Sequence, residues 1–290
     1  MFELLACHGC PILVSQMDPM QDTAVLMSGG GFGDIWRGEL LDGTRVAIKT
    51  WRASLIEQCD YKILKRATRE IYHWSKMKHE NIHELMGVIM FKGQSLGMVS
   101  EWMEHGNLHE YLRKNSNADR YRLVTQVASG LAYIHSLNMV HGDIKALNAL
   151  VSVEGVAKVT DFGLSTMSES SLDFSATTAQ QAGSIRWAAP ELLLEETAKS
   201  AASDIYALGM TILEIFSGNV PYPEYRRDYV IIQMVEQGVL PTRSTNEFED
   251  NERGNAIWNL LVECWDRKLD ARPLAKTMAE SLVSISALGE

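Results

Sequence analysis

The chain has little cysteine: Cys7, Cys10, Cys59 and Cys264 are all it carries. Four thiols spread over 290 residues cannot staple a disulfide scaffold. They suit a reducing compartment, and a cytoplasmic protein is the working expectation. Cys7-His8-Gly9-Cys10 has the spacing of half a zinc site, but no second cysteine pair follows it. Haem attachment would need a histidine after Cys10, where Pro11 stands. Free thiols in a loose N-terminal segment are the simpler reading. Basic residues are in deficit, 27 against 37 acidic ones, for a net charge of −10. A surface of that sign argues against nucleic-acid binding, which needs cationic groups to displace counterions. No apolar run approaches the ~18–20 residues of a membrane span. Met1 to Val14 is mildly apolar but lacks a basic stretch ahead of it, so no signal peptide is read.

What is present is the composition of an ordinary globular chain. Hydrophobic residues make up 46% and charged residues 22%, so a disordered polyelectrolyte is excluded. The length fits about two units of ~150 residues.

The first part of the chain reads as strands. Thr23–Met27, Ile35-Trp36-Arg37 and Arg45–Lys49 are β-prone, and Asp42-Gly43 before the last of them signals a hairpin. Leu85–Met90 and Ser95–Trp102 repeat the pattern through Lys92-Gly93-Gln94. One segment, Tyr61 to Lys78, changes period: Ile63, Ala67, Ile71 and Trp74 fall at helical spacing. Beyond Glu104 the pattern turns helical. Leu123, Val127, Leu131 and Ile134 mark one helix, Ala201–Phe216 a second that ends at Ser217-Gly218, and Ile257–Trp265 a third. Between the first two lies a turn-rich stretch from His141 to Glu191, dense in serine and threonine after Ser165. Structureless stretches of that length in a compact domain usually carry function.

Two groups of residues suit phosphate chemistry. Ser28-Gly29-Gly30-Gly31-Phe32-Gly33 links two strands, and glycines let backbone N–H groups approach phosphate oxygens. Lys49 closes the apolar strand beside that loop, and a phosphate would give it reason to stay charged. Glu70, on the helical segment, is the best-placed acid to orient it, with Glu57 as the fallback. In the second group, Asp143, Lys145 and Asn148 precede a short hairpin over Val151–Val159, and Asp161 follows it. Asn148 and Asp161 offer the oxygen ligands that Mg²⁺ prefers. Asp143 can accept a proton from an alcohol, and Lys145 can neutralise a moving phosphoryl group.

Taken in order, these elements resemble a eukaryotic protein kinase over about residues 21–285. The marks are the glycine loop, Val46-Ala47-Ile48-Lys49, His141-Gly142-Asp143 with Asn148, Asp161-Phe162-Gly163, Ala189-Pro190-Glu191, Ser203-Asp204-Ile205-Tyr206 and Arg272-Pro273. The resemblance implies an α+β, bilobal fold. A small antiparallel-sheet N-lobe with one key helix and the hinge would cover 21–103, and a larger, mainly helical C-lobe 104–290, with 1–20 as an N-terminal extension.

It also implies ATP and Mg²⁺ as cofactors, and a protein carrying a Ser/Thr acceptor as partner. Asp143 and Lys145 would be catalytic, with Asn148 and Asp161 on the metal. Ser28, Gly30, Gly33, Ile35, Ala47, Lys49, Glu70, Ser100, Glu101, Met103 and Leu150 would surround the nucleotide. Glu191 and Arg272 would form a structural ion pair, and Asp204 would brace the catalytic loop. Lys145 two places after Asp143 is similar to serine/threonine kinases. Gly183-Ser184-Ile185-Arg186-Trp187 before the Ala-Pro-Glu element is similar to the tyrosine-kinase-like group, and the His-Gly-Asp pattern to kinases of fungi. Ser184 is expected beside Asp143 and Lys145. Three positions depart from the pattern: Ser28 replaces the first loop glycine, Gly142 replaces the arginine before the catalytic Asp, and the residue at the back of the nucleotide pocket is the small Ser100. The alternatives are a kinase-fold scaffold that does not catalyse, supported by Ser28 and Gly142, and a small-molecule phosphotransferase.

Overall fold

The computed structural model describes residues 10–29, 33–50, 71–93, 95–167, 184–194 and 197–288. The chain divides into two compact units, Met1–Glu104 and His105–Glu290.

The first unit is built on a five-stranded antiparallel sheet in the order β1-β2-β3-β5-β4. Its strands are β1 (Val25–Gly29), β2 (Asp34–Glu39), β3 (Arg45–Thr50), β4 (Leu85–Phe91) and β5 (Ser95–Glu101). Asp42-Gly43 turns β2 into β3, with Gly43 at φ +86°. Lys92 and Gly93, both at positive φ, turn β4 into β5, the geometry of a tight hairpin that follows sheet twist. Period 2 sorts the side chains of β3: Val46 and Ile48 are wholly buried, while Ala47 and Lys49 are not. Val46 and Ile48 pack with Ile89, Phe91 and Val99. The helical segment expected over 61–78 falls mostly outside the described residues. Its end, 71–75, is helical, with Ile71 and Trp74 buried.

The expectation of a loose N-terminal segment is corrected for the described residues from Cys10 on. Val88 donates its N–H to the Pro11 carbonyl at 2.9 Å, and Leu13 donates to the Val88 carbonyl at 3.1 Å, so Ile12 pairs in parallel with the edge strand β4. Leu13 and Met17 then enter the sheet's core cluster, and Met17 is 0% exposed. Gln21 locks the far end. Its amide donates to the Glu39 carbonyl at 2.8 Å and its carbonyl accepts from the Glu39 N–H at 3.1 Å. The physical reason is the one that governs all edge strands. β4 offers unpaired backbone groups, and a short apolar segment satisfies them while burying its own side chains. Cys10, a free thiol, is buried, and that burial pushes its pKa up.

The second unit is mainly helical: α1 (Leu108–Lys114), α2 (Arg120–Ser136), α3 (Pro190–Leu193), α4 (Ala201–Ser217), α5 (Asp228–Glu236), α6 (Glu252–Cys264) and α7 (Ala275–Ala287). α4 is buried along almost its whole length. A reciprocal Ser200/Ser203 capping box starts it, and Gly218 in the left-handed region stops it. Two small antiparallel pairs complete the unit: β6 (Met139–Val140) with β9 (Thr166–Met167), and β7 (Ala149–Val151) with β8 (Ala157–Val159). A sheet unit followed by a helical unit is the fold class that the sequence implied.

Candidate active site

Each unit carries its own, separate set of candidate residues. In the first, strand register decides which of them share a face. Ser28 lies opposite Ile35, Ile35 opposite Lys49, and Ala47 opposite Ser100. Directly paired residues point the same way, so these five positions share the sheet face that Val46 and Ile48 do not use. Ser100 is buried at the end of β5. The backbone that follows is anchored: Trp102 donates its N–H to the Arg45 carbonyl at 3.2 Å. The Glu101 carbonyl receives the His83 ring Nε2 at 3.0 Å. A carbonyl only accepts, so that ring nitrogen carries the proton. The buried Met103 comes next. Gly30 and Glu70 lie outside the described residues, and Gly33 directly precedes β2.

In the second unit the chemistry converges on Asp143. Lys145 Nζ donates to both its carboxylate oxygens, at 3.1 and 2.9 Å. Asn148 Nδ2 donates to Oδ2 at 2.8 Å and to the Asp143 carbonyl at 2.8 Å. Ser184 Oγ donates to Oδ1 at 2.6 Å and accepts from Lys145 at 2.8 Å. Ser184 therefore stands where it was expected. Because Asn148 spends its NH₂ on Asp143, its amide oxygen is the atom left to ligate a cation.

Asp161 follows Thr160, which donates its N–H to the Asn148 carbonyl at 2.9 Å. Asp161 itself sits at φ +65°, a backbone state uncommon outside glycine and characteristic of functional positions. Among the described residues no three His, Cys, Asp or Glu side chains gather as a metal cluster. An amide oxygen and a carboxylate are nonetheless a fitting donor set for an ion completed by substrate phosphates and water. Leu150 lies on β7 between Asn148 and the hairpin turn.

Below the site, α4 supplies two buried acids. Asp204 accepts from the His141 N–H at 2.8 Å, the Gly142 N–H at 2.8 Å and the His135 ring at 2.9 Å. Burial pushes Asp204 up, but the His135 contact and the backbone donors win, and its carboxyl sits below the usual range. The His141 ring reaches the Thr160 carbonyl at 3.0 Å and accepts the Asp143 N–H at 3.2 Å. Only a neutral ring protonated at Nε2 can do both.

Glu214 takes the Ala146 N–H at 3.1 Å and the Trp187 indole at 3.0 Å, and faces His109 at 3.3 Å. Its burial raises its pKa. Arg272 and Glu191 form a buried two-pronged pair at 2.7 and 2.8 Å, so the implied ion pair and the Asp204 brace are both present. Sequence reasoning missed Glu214, His109, His83 and Lys199. A buried helical Glu in an apolar helix was the one visible signal. The rest are ordinary polar residues until the fold assembles them.

The chain matches the family model described as protein tyrosine and serine/threonine kinase over residues 23–282. It is 31% identical over 274 residues to the probable serine/threonine-protein kinase roco6 of Dictyostelium discoideum, a match covering 90% of this chain and 12% of that protein. It is 26% identical to serine/threonine-protein kinase STY46 of Arabidopsis thaliana (90% and 43%). It is 29% identical to tyrosine-protein kinase Src64B of Drosophila melanogaster (90% and 46%). The chain thus spans less than half the length of these relatives. With the family model spanning nearly the whole chain and the ordered motifs folded as described, the chain belongs to the protein tyrosine and serine/threonine kinase family.

Proposed function

We propose that this chain transfers the γ-phosphoryl group of ATP to serine or threonine hydroxyls of protein substrates, using Mg²⁺. The observation that carries the reading is the Asp143 carboxylate held by a lysine, an amide and a hydroxyl at 2.6–3.1 Å. An acid fixed in this way is built to orient an acceptor hydroxyl and take its proton, while Lys145 beside it faces the charge that moves with the phosphoryl group. Lys49 would hold the α- and β-phosphates and Glu70 would orient Lys49. Asn148 and Asp161 would ligate Mg²⁺, which supplies charge neutralisation on the phosphates when bound. Ser28, Gly30 and Gly33 would cover the phosphates. Ile35, Ala47 and Leu150 would flank the adenine, and the backbone of Glu101 and Met103 would pair with its edge beside Ser100.

Lys145 and Ser184 around Asp143 favour Ser/Thr acceptors. The relatives include both serine/threonine and tyrosine kinases, so acceptor choice is a direct test. Cysteine usage favours a cytoplasmic setting; among the described residues no helix is long and apolar enough to cross a membrane.

The experiment mixes the purified chain with labelled ATP, Mg²⁺ and matched peptides bearing Ser, Thr or Tyr, alongside Asp143→Asn. Label on Ser/Thr peptides, falling about 10²–10⁴-fold in the variant, is expected. Label on Tyr alone would overturn the acceptor assignment. Nucleotide binding without transfer would favour a scaffold.

A further inference from the structure

Lys199 belongs to none of the motifs above. It stands in the connection to α4, one residue before the N-cap Ser200, and its Nζ donates to the Gly142 carbonyl at 2.7 Å. That carbonyl belongs to the peptide group joining Gly142 to Asp143. The same peptide group's N–H, that of Asp143, is held by His141 Nδ1 at 3.2 Å. The His141 ring is in turn fixed on the Thr160 carbonyl. One peptide further back, the Gly142 N–H is held by Asp204 Oδ1. Every backbone polar group flanking the Gly142 Cα on the Asp143 side is therefore engaged. The two charged holders, Lys199 and Asp204, come from one short stretch that the Ser200/Ser203 capping box makes rigid.

The reason such a hold matters lies in Gly142 itself. Its φ is +77°, a region glycine enters freely, and glycine is also the residue with the most freedom to leave it. Gly142 has no side chain with which to anchor itself. A turn of its ψ would swing the Asp143 carboxylate away from Lys145, Asn148 and Ser184. A hydrogen bond from an ammonium group is about twice as strong as a neutral one, and it acts on the one carbonyl whose rotation redirects Asp143.

We propose that Lys199 is a positioning residue: by clamping the Gly142 carbonyl it fixes the direction in which Asp143 is presented to the acceptor hydroxyl. The inference rests on the kinase reading for its catalytic consequence, while the clamp itself is a property of the fold.

The test compares the parent chain with Lys199→Met, which keeps the apolar stem and removes the donor, and Lys199→Arg, which restores a cationic donor. Three measurements are made: steady-state kinetics on a Ser peptide, giving kcat and the KM values for peptide and ATP; nucleotide affinity; and amide hydrogen exchange of Gly142 and Asp143 against that of α4. In Lys199→Met, kcat should fall about tenfold or more, the loss of one charge-assisted contact. KM for ATP and nucleotide affinity should stay within about twofold, since the nucleotide's own contacts are untouched. The Asp143 amide should exchange faster while α4 stays protected, and Lys199→Arg should recover both kcat and protection. If Lys199→Met does not fold, Lys199→Gln, a shorter neutral donor, takes its place. Unchanged exchange at Asp143, or kcat within twofold of the parent, overturns the proposal. A parent chain that transfers no phosphate overturns the kinase reading instead, and the exchange measurement still decides whether the clamp exists.

Discussion

At the scale of single residues, the Asp143 cluster is decided by short polar contacts among half-buried groups. Ser184 shares the carboxylate with Lys145 through two bonds, at 2.6 and 2.8 Å. Hydrogen bonds to charged groups contribute about 1.5–3 kcal/mol each, so losing Ser184 should be felt as about a 10–100-fold drop in kcat. Ser184→Ala is the variant, and Ser184→Thr, which keeps the hydroxyl, should recover most of the loss. Steady-state kinetics on a Ser peptide with ATP held saturating would check it, and near-parental turnover in Ser184→Ala would sink it. Much of this cluster was legible in the sequence. Asp143, Lys145, Asn148 and Asp161 stand at spacings that only a few chemistries require. Lys199 was illegible for the opposite reason: a lone lysine in a loop reads as solvated until the backbone carbonyl it meets has been folded into place.

Among the elements, the hairpins were legible because turns announce themselves locally: Asp42-Gly43 and Lys92-Gly93 name their own backbone geometry. α2 and α4 were legible through their apolar spacing. α7 was not, although Met278, Leu282 and Ile285 form its buried face; the serines between them and the exposed apolar Val283 blur the pattern. The N-terminal segment read as loose because Leu13 and Met17 gain their meaning only from β4, far along the chain. Its energetics can be measured. Met17 is wholly buried against the sheet core, and truncating such a side chain costs about 2–5 kcal/mol. Met17→Ala should therefore lower the thermal midpoint clearly, whereas Val14→Ala, at an exposed neighbouring site, should leave it nearly unchanged. Thermal unfolding followed by circular dichroism compares the two. Equal midpoints for Met17→Ala and the parent would mean that the segment merely rests on the sheet.

For the whole molecule, charge is the property that no single motif contains. The net −10 is unevenly shared: His105–Glu290 holds 24 acidic and 16 basic residues, and the rest of the chain 13 and 11. The unit that carries Asp143 therefore presents a predominantly negative field to whatever approaches it. Charged surfaces of one sign raise the local concentration of oppositely charged partners, and the effect fades as salt shortens the screening length from about 30 Å at 0.01 M to about 8 Å at 0.15 M. Acceptor peptides with lysine or arginine around the Ser/Thr should accordingly show a lower KM than peptides of the same length flanked by glutamate. That advantage should shrink as ionic strength rises. Because the effect is long-range attraction and not a contact at the reacting atoms, it should appear in KM while kcat stays level. Measuring both constants for a basic, a neutral and an acidic peptide at three salt concentrations tests this. A basic-peptide preference that persists unchanged in high salt would point to a specific buried contact, and an acidic-peptide preference would show that local basic groups outweigh the overall field.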